Sequence, residues 1–144
     1  MIPSHLSLFR TFVWCPVARN ELTCLPDKVI LVGHSLGGSV LLKYLSEAPV
    51  ENTIVGLFVI AAPYWGAEDW QVDEYMLRDN VAAYLPQIPL LLYHGQRDEI
   101  VPFEHLAMYG SLLPQAKIRE FEGRGHKFND DLSEVAADIA TLQI

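Results

Sequence analysis

An apolar run, Val29-Ile30-Leu31-Val32, leads straight into Gly33-His34-Ser35-Leu36-Gly37-Gly38, and a helix-periodic segment from Val40 to Leu45 follows. This order of strand, tight turn and helix constrains the chain more than any other feature. The backbone must reverse within a few residues. Glycines on either side of the serine permit this because they lack Cβ, and the serine is left at the tip, strained, with its hydroxyl in the open. The helix that starts there turns free N–H groups and the positive end of its dipole toward the same spot, which favours a developing negative charge. An ordinary glycine-rich strand-to-helix turn has the same local pattern, so the rest of the chain must decide between the two.

Downstream the alternation continues. The pattern predicts strands over residues 29–32, 54–61, 88–93 and 117–121, the third entered through Pro86 and Pro89. Helices are expected over 36–47, ending before Pro49, and over 103–113, stopped by Pro114. A last amphipathic helix is expected over 130–142, with Leu132, Val135, Ala136, Ile139 and Ala140 on one stripe and Asn129 or Asp130 as its cap. Strands that alternate with helices imply parallel βαβ units with right-handed crossovers. The expected fold class is therefore α/β: three layers, with a mostly parallel sheet flanked by helices. The 51% hydrophobic content fits strands buried on both faces. The length of 144 residues fits one domain, 1–144, and no repeat, low-complexity tract or linker divides it.

A serine is a weak nucleophile unless a base activates it and a third group orients the base. Asp98 is the candidate orienter. It lies in His94-Gly95-Gln96-Arg97-Asp98, the loop leaving the apolar strand Leu90-Leu91-Leu92-Tyr93. Catalytic groups gather at that end of strands in open α/β sheets. Val101-Pro102 then opens the next helix. Alone, Asp98 reads equally as a turn or capping aspartate. His126 is the candidate base, in Gly123-Arg124-Gly125-His126 after the last predicted strand. An imidazole titrates near working pH, although a single loop histidine is more often merely solvated. Position separates His126 from the others. His94 reads as shaping the Asp98 turn, His34 lies beside the serine, His105 falls on a helix, and His5 is near the N-terminus.

Gly-His-Ser-Leu-Gly-Gly at 33–38, His-Gly-Gln-Arg-Asp-Glu-Ile-Val-Pro at 94–102 and Gly-Arg-Gly-His-Lys-Phe at 123–128 together resemble the α/β-hydrolase superfamily. The resemblance covers residues 28–142. It implies Ser35 as nucleophile, Asp98 as orienter and His126 as general base and then acid, in that chain order. It also implies the Leu36 backbone N–H as one oxyanion donor. The implied activity is that of a serine hydrolase cleaving an ester, thioester or amide of a small-molecule acyl substrate through an acyl-enzyme. A carboxylic ester is the default, since activated esters have the lowest barrier. No metal or organic cofactor is implied. Family members carry several strands before the elbow, and a loop there, often His-Gly, supplies the second oxyanion donor. Here 27 residues precede the elbow strand, and 1–32 contain no glycine. Residues 8–14 suit one strand, and the second donor has no candidate. The N-terminal part thus reads as divergent or truncated, with the early strands missing. A competing expectation follows: a catalytically impaired or truncated relative acting, if at all, through binding. Strand 29–32 would then lie near an uncovered edge open to pairing with another copy of the chain.

Residues 63–86 break the alternation. Tyr64, Trp65 and Trp70 stand there among Glu68, Asp69, Asp73 and Glu74. One expectation is a small cap whose aromatic wall binds the acyl group; the other is a surface helix packing its rings on the sheet edge. The net charge of −8 and the scattered cations argue against nucleic-acid binding. Cys15 and Cys24 read as free thiols rather than a disulfide. No apolar stretch is long enough to span a membrane and no signal peptide is evident, so a cytoplasmic location is expected.

Overall fold

The computed structural model describes residues 28–48 and 53–142. The elements, in chain order, are β1 (Lys28–His34), α1 (Leu36–Glu47), β2 (Thr53–Ile60), β3 (Leu90–Gly95), α2 (Glu104–Leu112), β4 (Lys117–Phe121) and α3 (Ser133–Ala140). The four strands form one sheet in the order β1-β2-β3-β4, and every neighbouring pair is parallel. The α/β layered architecture expected from the alternation is the one observed.

Register decides where the loops go. His34 pairs with Ile60, Ile60 with Tyr93, and Gly95 with Phe121. The C-terminal ends of all four strands are therefore level. The turns after β1, β3 and β4, which carry Ser35, Asp98 and His126, leave from one edge of the sheet.

Side chains alternate across this sheet, and both faces are covered. Leu31, Leu57, Val59, Leu90 and Leu92 pack with Leu41, Leu42 and Leu45 of α1 and Leu106 and Tyr109 of α2. Phe58, Ile60, Leu91 and Tyr93 pack on the other face with Val135 of α3, and Leu132, Ile139 and Leu142 join them. Tyr93 ties β3 to α3 by donating its hydroxyl to Asp138 Oδ2 at 2.8 Å. β4 is less buried because it lies at the end of the described sheet, and Ile118 is exposed there.

Several expected boundaries shift for local reasons. β3 starts at Leu90, directly after Pro89, since proline has no N–H to give a ladder. β2 stops at Ile60 because Ala61 turns to φ 51°. The final helix starts at Ser133 rather than 130. Residues Phe128–Asp130 form a 3₁₀ turn with positive φ throughout, so neither Asn129 nor Asp130 caps α3. Asp131 Oδ1 instead accepts the Ser133 N–H at 3.0 Å. Ala136 and Ala140 are exposed, so the buried stripe of α3 is narrower than expected.

Residues 63–86 contain no α-helix, which removes the expected surface helix. They run as a loop with 3₁₀ turns at Asp73–Tyr75 and Val81–Ala83. Val81 and Leu85 are buried in the same core cluster as residues of the sheet, α1 and α2. The strand expected over residues 8–14, the thiols of Cys15 and Cys24, and the rest of 1–27 lie outside the described residues. No helix among the described residues is long and apolar enough to cross a membrane.

Candidate active site

Ser35 has φ 56° and ψ −128°, a strained conformation for a residue with a side chain. Its surroundings over-determine it. The Ser35 N–H donates to Ile60 O at 2.8 Å, and Ser35 O accepts the Gly38 N–H at 3.0 Å. The close return of the chain requires Gly33, where a Cβ would stand 2.7 Å from Gly38 Cα. Ser35 occupies the N-cap position of α1, yet its side chain makes no capping bond. Leu36 is the first residue of α1, and its N–H has no acceptor within the helix.

Asp98 and His126 meet directly. His126 Nδ1 lies 2.9 Å from Asp98 Oδ2 and 3.2 Å from Oδ1. Asp98 Oδ1 also accepts the backbone N–H groups of Ile100 at 2.9 Å and Val101 at 2.8 Å. The Asp98 side chain is fully buried, that of His126 8% exposed. Burial alone would raise the Asp98 pKa. The hydrogen bonds from His126, Val101 and Ile100 outweigh it and hold the carboxyl below the usual carboxylate range. Asp98 is therefore an acceptor only, so the neutral form of the His126 ring carries its proton on Nδ1 and its lone pair on Nε2.

His94 approaches the same carboxylate from β3. Its Nε2 lies 3.1 Å from Asp98 Oδ2 and 3.0 Å from Val101 O. Both partners accept, so His94 Nε2 carries the proton and locks the turn around Asp98. Burial lowers the His94 pKa despite the neighbouring carboxylate.

His126 is held by its backbone as well. His34 Nε2 donates to His126 O at 2.7 Å, and the two rings are 4.8 Å apart between centroids. His34 precedes Ser35, so this contact brings the serine turn to the His126 loop. Glu99 Oε2 accepts the His126 N–H at 3.4 Å. Arg124 anchors the loop to the start of α3 through Phe128 O, Asp131 O and Glu134 Oε1. β3 abuts the loop so closely at Gly95 that a Cβ there would collide with the Arg124 carbonyl.

The aromatic residues form a neighbouring group. Trp65 packs edge-on to Trp70 at 5.3 Å and against Tyr75 at 5.0 Å. Trp70 meets His105 of α2 at 5.4 Å, and His105 Nδ1 accepts the Tyr64 N–H at 2.8 Å. Pro63 O takes hydroxyl hydrogen bonds from Ser39 of α1 at 2.8 Å and Tyr109 of α2 at 2.6 Å, which fixes where the segment begins. Trp65 Nε1 is buried with no hydrogen-bond partner among the described residues.

The structure thus brings Asp98 and His126 into contact and links them to the Ser35 turn through His34. Tyr64, Trp65 and Trp70 cluster beside α2, the helix that follows the Asp98 turn. His34, Glu99 and Arg124 make hydrogen bonds to or within the His126 loop that the sequence did not reveal. Nothing in the letters of the Gly-His-Ser motif tells which way the His34 ring points. Among the described residues no cluster of His, Cys, Asp or Glu is arranged to hold a metal ion.

The chain matches the serine hydrolase family over residues 10–132. It belongs to that family, within the α/β-hydrolase superfamily. Among characterised folds it is similar to the ydeN gene product from B. subtilis, with TM-score 0.72, 20% identity, and 89% of this chain and 72% of that one covered. It is also similar to the esterase domain of a Rhodothermus marinus protein, with TM-score 0.60, 23% identity, and coverage of 89% and 63%. At these identities the likeness concerns the fold. In sequence the chain is 27% identical over 109 residues to the uncharacterised protein YfhR of Escherichia coli O157:H7, covering 70% of this chain and 38% of YfhR. The chain thus spans well under half the length of that curated relative.

Proposed function

We propose that the protein hydrolyses an ester, thioester or amide through an acyl-enzyme on Ser35. In this reading His126 Nε2 takes the Ser35 hydroxyl proton as Oγ attacks the substrate carbonyl. The negative charge that develops on the carbonyl oxygen is stabilised in part by the Leu36 N–H, at the positive end of the α1 dipole. His126, then an imidazolium, returns the proton to the leaving group. Water deacylates Ser35 by the same steps in reverse roles. Asp98 holds the tautomer that makes Nε2 the base and stabilises the imidazolium.

The observation that carries this reading is the 2.9 Å contact between His126 Nδ1 and the fully buried Asp98 carboxylate, at the sheet edge where Ser35 turns. A carboxylic ester is the preferred substrate class, and Tyr64, Trp65 and Trp70 form the apolar wall for its acyl group. The test is hydrolysis of a p-nitrophenyl ester series. Wild type is expected to turn over, with Ser35→Ala and His126→Ala each at least about 10³-fold slower in kcat. Turnover that survives both substitutions overturns the assignment.

A further inference from the structure

His34 has no part in the steps above, yet it touches the residue that performs them. Its Nε2 faces a backbone carbonyl, His126 O, at 2.7 Å. A carbonyl can only accept, so the proton of neutral His34 is on Nε2. The ring is half-buried at the end of β1 and tilts 50° to the His126 ring. Burial, the largest influence, favours its neutral form, so it adds no charge beside His126.

The need for such a contact follows from how His126 is mounted. The loop that carries it contains Gly123 and Gly125, and among the described residues its backbone N–H is held only by a long 3.4 Å bond to Glu99. Asp98 fixes one ring nitrogen. A ring held at a single nitrogen can still pivot about that bond, swinging Nε2 away from a fixed target. Holding the backbone of the same residue removes that freedom. The segment that holds it is the one whose next residue is Ser35, itself pinned to β2 by its own N–H.

We propose that His34 is a positioning residue: its Nε2–H ties the His126 backbone to the serine turn and so sets the base against Ser35. This rests on the catalytic reading of Ser35 and His126. Glutamine places an amide N–H where the imidazole Nε2 stands, whereas phenylalanine keeps the ring and loses the donor. The two substitutions therefore separate the hydrogen bond from the packing.

The first measurement needs no variant. Nitrogen-15 NMR of the wild-type protein above neutral pH is expected to show His34 as the Nε2–H tautomer, and an Nδ1–H tautomer overturns the proposal. The second is the rate of labelling by a fluorophosphonate. His34→Phe is expected to lower the saturating rate about tenfold and leave the half-saturating probe concentration unchanged. His34→Gln is expected to recover at least about threefold of that loss. An unchanged rate in His34→Phe, or equal losses in the two folded variants, overturns it. Should His34→Phe fail to fold, a folded His34→Gln labelling less than about a tenth as fast as wild type overturns it. Labelling that survives Ser35→Ala overturns the catalytic reading, and this inference with it. That outcome is distinct from a normal Ser35 requirement with no effect at His34.

Discussion

Asp98 accepts hydrogen bonds from His126, Ile100 and Val101 and a contact from His94, with none of its side chain exposed. Earlier in the chain, Trp65, Trp70 and Tyr75 are held by contacts between their rings, and the buried Trp65 indole N–H has no partner among the described residues. The first region has directional bonds that admit one arrangement, since a buried carboxylate loses heavily with each partner removed. The second has non-directional contacts that tolerate repacking. On the proposed reading, placing a base against a nucleophile needs the first kind of construction, and a wall for acyl groups of different shape is served by the second.

The largest expected effect breaks the first region. Asp98→Asn replaces one acceptor oxygen by a donor in a pocket where all the neighbours donate. It also removes the charge that fixes the His126 tautomer. Ester turnover is expected to fall about 10⁴-fold, with a lower melting temperature measured alongside. Loss of less than tenfold would mean that Asp98 orients nothing.

A smaller effect is a stability profile set by the buried histidines. Burial lowers the pKa of His34, His94 and His105, so all three are neutral in the folded protein. As pH falls below about 6.5 the unfolded chain takes up protons that the folded chain refuses. Stability is therefore full above that pH and is lost as pH falls from there toward the folded values. Asp98 adds a second loss. Its pKa is held down, so its contribution is present above about 4 and disappears as pH falls through the folded value. Urea midpoints are expected to drop between pH 7.5 and 5.5 and again below pH 4. A flat profile over the first interval would show that the histidines titrate alike in both states.

The smallest effect belongs to the aromatic segment. Trp65→Phe removes a donor that has no acceptor and keeps most of the ring. Thermal melting is expected to report a change within about 1 kcal/mol of wild type in either direction. A loss beyond about 2 kcal/mol would mean that the indole is more tightly specified than its contacts suggest.

Much of this layout was legible in the letters, and the parts that were not share a cause. The alternation of Val29–Val32, the Leu90–Tyr93 run and the periodic helices gives parallel strands, because a strand buried on both faces must be continuously apolar. The loop positions of Ser35, Asp98 and His126 follow from the same pattern, since parallel strands emit every such loop at one edge. α3 starts later than the pattern predicts because Phe128, Asn129 and Asp130 all adopt positive φ; Asn and Asp tolerate that conformation, but Phe128 gives no sign of it. The inward turn of Val81 and Leu85 depends on a core they share with residues distant in the chain, from the sheet, α1 and α2. The His34 contact was hidden for the same reason: it joins residues 92 positions apart in the chain.

The most direct test of the central claim is the site of covalent modification. The wild-type protein would be treated with a fluorophosphonate, digested, and mapped by tandem mass spectrometry. The expected result is one phosphonate adduct, on Ser35, that is absent after His126→Ala. An adduct on another residue, or none on a folded protein, would contradict the account.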